Sequence, residues 1–277
     1  MPFVVVRDRW RRQPVPGRVQ FDLNHWSARG IWGAQAVAER VMVDLLRQGQ
    51  ATLTLNTNNR EVNQRESAFG RVFTIWHNAG NPYYWQRGRY SAVSTSSMTL
   101  AAILGGHGLT AVNVRALVSS GLAGLPMPGI YEGSGGTNVW RAQFRTASST
   151  DVVVNGTTTA VAGGPAYFIV ARREAGVGLS LFVNGVSEGF TSSALGMSGS
   201  PAILQSSGAL SFQDASALTL AWNRALSDYE IQELSRNPWQ VLKPQERRVF
   251  YSLAGGPSFQ AAWARGATTI AGVSANA

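Results

Sequence analysis

The chain of 277 residues has no cysteine, one lysine, three histidines and only 14% charged residues. Without cysteine there is no disulfide framework, thiolate metal site or cysteine nucleophile, so durability has to come from packing or from association of copies. His25, His77 and His107 lack metal-ligand spacing. Long apolar runs are missing as well: no stretch reaches the roughly 20 residues of a membrane-spanning helix. Met1–Val6 is too short an apolar run for a signal peptide, and its basic residues follow rather than precede it. These absences predict no essential metal, no cofactor, no membrane insertion and no secretory route.

Paired acids are equally scarce. Glycan hydrolysis needs two carboxyl groups facing each other across a cleft, about 5 Å apart for retention and more for inversion. No candidate strand carries two acids on one face: Glu188 and Asp214 stand alone, and Glu61 and Glu66 fall in a polar loop. Asp151 and Asp214 are the only candidates for a calcium site in the second half, and nothing in the sequence unites them. Gly105-Gly106-His107-Gly108 lacks the Lys-Ser/Thr of a phosphate loop, and Gly196-Met197-Ser198-Gly199 is one residue short of a nucleophile elbow. The sequence therefore predicts that the protein is not an enzyme, with glycan hydrolase as a remote alternative.

What is present is a β-rich composition, with 44% hydrophobic residues and 30 glycines. A net charge of +9 is carried almost wholly by arginine, Lys243 being the exception. No arginine-and-aromatic motif of a nucleic-acid module accompanies it, so nucleic acid is not an expected partner. Period-two alternation predicts strands at 51–57, 71–78, 111–118, 140–145, 166–173 and 178–183. Asn155-Gly156 and Asn184-Gly185 each read as a two-residue hairpin turn, the first splitting 151–161 into two strands. Between Leu104 and Gly136 the alternation fades apart from 111–118, which reads either as an insertion touching another subunit or as strands too irregular to recognise.

The best-defined stretch is Ala217–Trp239. Leu218, Leu220 and Trp222 alternate with Thr219, Ala221 and Asn223 as a half-buried strand. A helix follows, with Ser227 and Glu230 spaced as a capping box, Leu226 and Ile231 as a hydrophobic staple, and Asn237-Pro238 as its stop. The string W-N-R-A-L-S-x-x-E-I-x-x-L-x-x-N-P-W, Trp222–Trp239, resembles the closing strand and helix of laminin-G-like, concanavalin A-like domains of bacteriophage structural proteins. L-F-V-N-G-V at 181–186 resembles the hairpin of that family, and Gln13 to Gly30, containing D-L-N-H-W-S-A-R-G, resembles its opening.

The resemblance, covering 13–245, implies an all-β antiparallel β-sandwich of the concanavalin A-like jelly-roll type, with one short C-terminal helix and extended termini. The expected organisation is a basic arm over 1–30, the sandwich over 31–245 and an attachment tail over 246–277. The expected function is a non-enzymatic structural component of a phage virion, capsid decoration or tail fibre, present in multiple copies or as a homo-oligomer among other virion proteins. The alternative is a carbohydrate-binding adhesin whose partner is a host surface glycan. For a sugar, Trp85, Tyr83 and Tyr84 offer stacking faces and Asn78 and Asn81 hydrogen bonds. For assembly, the apolar, arginine-flanked arm (Val5, Arg7, Arg9, Trp10, Arg11, Arg12) and the tail aromatics Phe259 and Trp263 are the candidate contacts.

Overall fold

The computed structural model describes residues 13–14, 19–38, 41–46, 51–52, 62–75, 87–89, 97–105, 115–119, 129–132, 139–146, 148, 150–161, 164–196, 203–206 and 215–244. The strands among them are β1 (Val19–Phe21), β2 (Ile31–Ala38), β3 (Val41–Asp44), β4 (Ala51–Thr52), β5 (Val62–Ser67), β6 (Gly70–Ile75), β7 (Arg87–Arg89), β8 (Met98–Gly105) and β9 (Arg115–Ser119). They continue as β10 (Gly129–Glu132), β11 (Val139–Arg145), β12 (Asp151–Thr159), β13 (Ala166–Glu174), β14 (Gly178–Val183), β15 (Val186–Ser192), β16 (Ile203–Ser206), β17 (Ala215–Trp222) and β18 (Leu242–Pro244). One α-helix, α1 (Asp228–Arg236), follows β17.

All described pairings are antiparallel. A seven-stranded sheet runs β12-β11-β10-β9-β16-β7-β4, and a nine-stranded sheet runs β15-β14-β13-β8-β17-β2-β3 with the β5–β6 hairpin joined at one end of β17. The expected antiparallel sandwich with one short helix is what the chain forms.

The larger sheet is the middle of three layers. Toward the smaller sheet it buries Leu100, Ala102, Ile169, Leu179 and Leu181 against Ile130, Trp140, Ala142 and Phe144. Away from it, Ala101, Ile103, Phe168, Val170, Leu218 and Leu220 are covered by Ile231 and Leu234 of α1, by Trp239 and Val241, and by Val19 and Phe21. Burial on both faces explains why β8 and β14 are largely apolar at every position, Thr99 and Ser180 being their polar residues. It also corrects the expectation for β17: Thr219 and Ala221 are as buried as Leu218 and Leu220, because β17 lies between β8 and β2 and both its faces are covered.

Three further expectations change. Residues 19–28, read as arm, contribute to the sandwich: β1 pairs with β18, and Val19 and Phe21 are core residues. Even Gln13 touches the hairpin β5–β6, its Oε1 accepting from Arg71 N at 2.6 Å. In the 104–136 stretch, left open between an insertion and unrecognised strands, the described residues 115–119 and 129–132 form β9 and β10 of the smaller sheet. A register shift at Ile130/Tyr131 interrupts the alternation there. Finally, Asn155-Gly156 is no turn. Neither residue has positive φ, and β12 continues through both. The second pair does turn, Asn184 at φ 50 and Gly185 at φ 81 joining β14 to β15.

Candidate functional site

The residues proposed from sequence for a sugar site, Asn78, Asn81, Tyr83, Tyr84 and Trp85, lie between β6 and β7 and outside the described residues. Val5, Arg7, Arg9, Trp10, Arg11, Arg12, Phe259 and Trp263, and with them His77, His107 and Asp214, are likewise outside the described residues.

The Trp222–Trp239 string is described in full, and its residues hold the fold together. The indole N–H of Trp222 donates to Ser27 O at 2.6 Å, and that of Trp239 to Phe69 O at 2.7 Å. Arg224 grips both oxygens of Glu230, at 2.8 and 2.7 Å, while its Nε donates to Arg29 O at 2.7 Å. Glu230 also closes the capping box: its Oε2 accepts from Ser227 N at 2.8 Å and Ser227 Oγ accepts from Glu230 N at 3.2 Å. These contacts, the Arg224 hydrogen bonds foremost, hold the Glu230 carboxyl below its ordinary range. Leu226 and Ile231 are both buried in the core, as the staple requires.

The string's anchoring has a consequence at the opposite end of the chain. Trp222 and Arg224 fix the carbonyls of Ser27 and Arg29, so the turn before them is held from beneath. That turn, Asp22 to Ser27, is further pinned by Asp22 N donating to Val241 O at 2.7 Å and His25 N to Asp22 O at 2.9 Å. Asp22 Oδ1 accepts from Asn24 N at 3.1 Å. His25 caps the following 3-10 turn, Trp26–Ala28: its Nδ1 accepts from Ser27 N at 3.3 Å and lies 2.8 Å from Ser27 Oγ. The amide nitrogen of Gln240 is engaged by Glu233 O, which leaves its oxygen for the imidazole. Burial lowers the His25 pKa below its ordinary value, against the opposing pull of Gln240 and Asp22, which favours the neutral ring with an acceptor nitrogen.

On this pinned turn three side chains face outward. Leu23 is 64% and Trp26 42% exposed, with Asn24 also exposed between them. The Trp26 ring leans on His25, centroids 4.9 Å apart and planes 39° apart. Leu23 borders a depression of about 100 Å³ whose other walls are Gln20, Phe21, Leu45, Leu46 and Lys243. Drug-like ligands occupy pockets of roughly 300 Å³ or more, so this hollow admits an edge or a substituent, not a whole buried molecule.

Sequence reasoning had this turn in view as part of a family resemblance and missed its side chains. The signal was the same one read at 78–85, an indole beside an amide; what hid it was the expectation that 1–30 is an arm.

Several of the described carboxylates are occupied elsewhere. Asp151 is held by Arg145 through both oxygens, at 2.8 and 3.3 Å, so a guanidinium stands where a calcium ion would have to sit. Asp228 pairs with Arg172, Glu233 with Arg236 and Glu66 with Arg71. Glu188 accepts from Thr157 N at 3.0 Å, from Thr158 N at 3.1 Å and from the Thr158 hydroxyl. With Thr191 Oγ1 donating to Val153 O at 2.7 Å, it joins edge strand β15 to edge strand β12 and covers two exposed sheet edges. Among the described residues no three His, Cys, Asp or Glu side chains are gathered for a metal ion.

In fold, the chain is similar to toxin binding domains. The binding domain of botulinum neurotoxin serotype G superimposes with a TM-score of 0.54 at 8% identity, over 73% of this chain and 50% of that one. The binding domain of Paraclostridial Mosquitocidal Protein 1 gives 0.53 at 11% identity, over 74% and 52%. The receptor binding domain of botulinum neurotoxin D gives 0.53 at 9% identity, again over 74% and 52%. The chain thus spans about half the length of the domains it resembles. At such identities the likeness is one of fold, in agreement with the lectin-like sandwich expected from sequence. No protein-family model matches the chain, and no curated protein matches it in sequence.

Proposed function

We propose that this chain is a non-catalytic recognition domain, a rigid lectin-like sandwich that presents surface turns to a carbohydrate or receptor, and that it serves on a bacteriophage particle. The observation that carries the recognition reading is the architecture. The same layered sandwich occurs in domains named for binding and, in botulinum neurotoxin D, for receptor binding, here with Asp151 and Glu230 committed to arginines and Glu188 to backbone donors. The phage setting rests on the Trp222–Trp239 string and its resemblance to closing segments of virion proteins.

A full-length chain displayed to a glycan array, with the bound glycans then assayed for cleavage, tests the recognition reading. Retention without released reducing ends is the expected result. Release of product would replace it with the hydrolase reading.

A second reading, a capsid-decoration or tail part that holds no ligand, is favoured by the same string. It calls for an array without hits and for density of this chain on an imaged particle. The ends, outside the described residues, are the proposed attachments in either reading. Deleting 1–12 spares Gln13 and its bond to Arg71, so the melt should hold while incorporation into the particle is lost.

A further inference from the structure

From the outward face of the Asp22–Ser27 turn, we infer that Leu23, Asn24 and Trp26 form a shallow saccharide subsite, which takes the flat C–H face of a neutral pyranose on the Trp26 ring. The inference rests on the recognition reading above and names the place and the ligand class for it. The face of an indole is electron-rich and attracts the weakly positive axial C–H groups of a sugar ring. An exposed amide one turn-residue away supplies both a donor and an acceptor to the hydroxyls at the ring edge.

Three features set this turn apart from ordinary surface residues. Its outward side chains contribute little to the core, yet its backbone is fixed by Trp222 and Arg224 at the end of β17 and by Val241, from two separate segments. Fixing the backbone in advance lowers the ordering cost of binding. Leu23 and Trp26 together expose an apolar ledge interrupted by Asn24, the alternation a sugar presents in reverse with its C–H faces and hydroxyl rims. The adjoining hollow of about 100 Å³ has room for one projecting substituent, such as a hydroxymethyl or an acetamido methyl, against Leu45 and Leu46. A protein partner would be expected to bury a wider apolar surface than these side chains provide.

The test is saturation-transfer NMR on the full chain with methyl β-galactoside, methyl β-glucoside and N-acetylglucosamine at millimolar concentration. Transfer to the ring C–H protons of at least one sugar is expected. Trp26→Ala should weaken it about tenfold, the equivalent of one stacked ring, and Trp26→Phe should keep most of it. Tyr229→Ala removes another aromatic, 70% exposed on α1, and should change nothing. Unchanged melts in all variants exclude unfolding as the cause.

No transfer from any of the three sugars, or equal transfer in Trp26→Ala, overturns the subsite. If the glycan array still shows ligands that Trp26→Ala retains, the subsite fails and the recognition reading stands; an array without hits removes both. A concentration-dependent dimer lost on Trp26→Ala would show the ledge to be a contact between copies instead, and would also overturn it.

Discussion

At Asn184-Gly185 the chain reverses within two residues, whereas at Asn155-Gly156 the same dipeptide stays extended inside β12, beside a register shift against β11. The first pair sits at an outer tip where β14 ends. Asn184 N donates to Phe168 O at 2.7 Å and Asn184 Oδ1 accepts from Phe168 N at 2.9 Å, so the turn is stitched to β13. Gly185 lies against Gln232 and Ser235 of α1, with no room for a side chain. The second pair sits where two sheet edges converge. Arg141 of β11 pairs with Asn155, and a Cβ on Gly156 would meet Glu188, the Leu181 side chain at 2.9 Å and Trp140 O at 3.1 Å. One glycine is required for its dihedral angles, the other for its lack of volume.

That difference is open to test by substitution. Gly185→Ala should have the largest effect, roughly 2–4 kcal/mol, since positive φ and contact with the Gln232 backbone both oppose it. Denaturant melts should show a shifted midpoint with an unchanged slope; a shift no larger than that of Gly156→Ala would remove the distinction. Asn184→Ala should cost about 2 kcal/mol by leaving the Phe168 N–H without its acceptor.

Gly156→Ala should cost about 1–2 kcal/mol through crowding alone. Because the tip of Glu188 is the nearest obstacle, combining it with Glu188→Ala should destabilise by less than the sum of the two changes, which a double-mutant cycle reads directly. Strict additivity would mean that Leu181 and Trp140 set the limit.

The support under Gly185 gives the smallest and finest test. Ser227→Ala removes the cap of α1 and should cost about 1 kcal/mol. Acid should act on the same box through Glu230. Its carboxyl is held below the ordinary value of 4.5, so its contribution is complete above that value and is lost as pH falls through the lower, folded-state value. A melt that declines below about pH 4.5 in the wild type, and declines less in Glu230→Gln, is the expected outcome.

Much of the fold was legible because it is written in local chemistry. The capping box, the staple and the Asn237-Pro238 stop place α1 to the residue, since each acts within five positions of the chain. Strands β11, β13 and β14 were found by their alternation or apolar runs within a residue of their ends. β9 was anticipated by the alternation at 111–118, whereas β10 was obscured by a register shift against it and by glycine-rich surroundings. The candidate ledge was harder still, because Trp26 looks the same in sequence whether it is buried or displayed. Only the anchoring of Ser27 by Trp222, 195 positions away, turns it outward on a fixed turn.

The amino-acid sequence by itself determined the class of the fold, the helix α1 and the Asn184-Gly185 hairpin, because propensity, capping and positive φ are properties of a few neighbouring residues. Tertiary structure alone decided that the larger sheet is buried on both faces, that 19–28 belongs to the sandwich and that Asn155-Gly156 stays extended. Each of those depends on which distant segment arrives to cover a surface, and a distant segment leaves no mark on local periodicity.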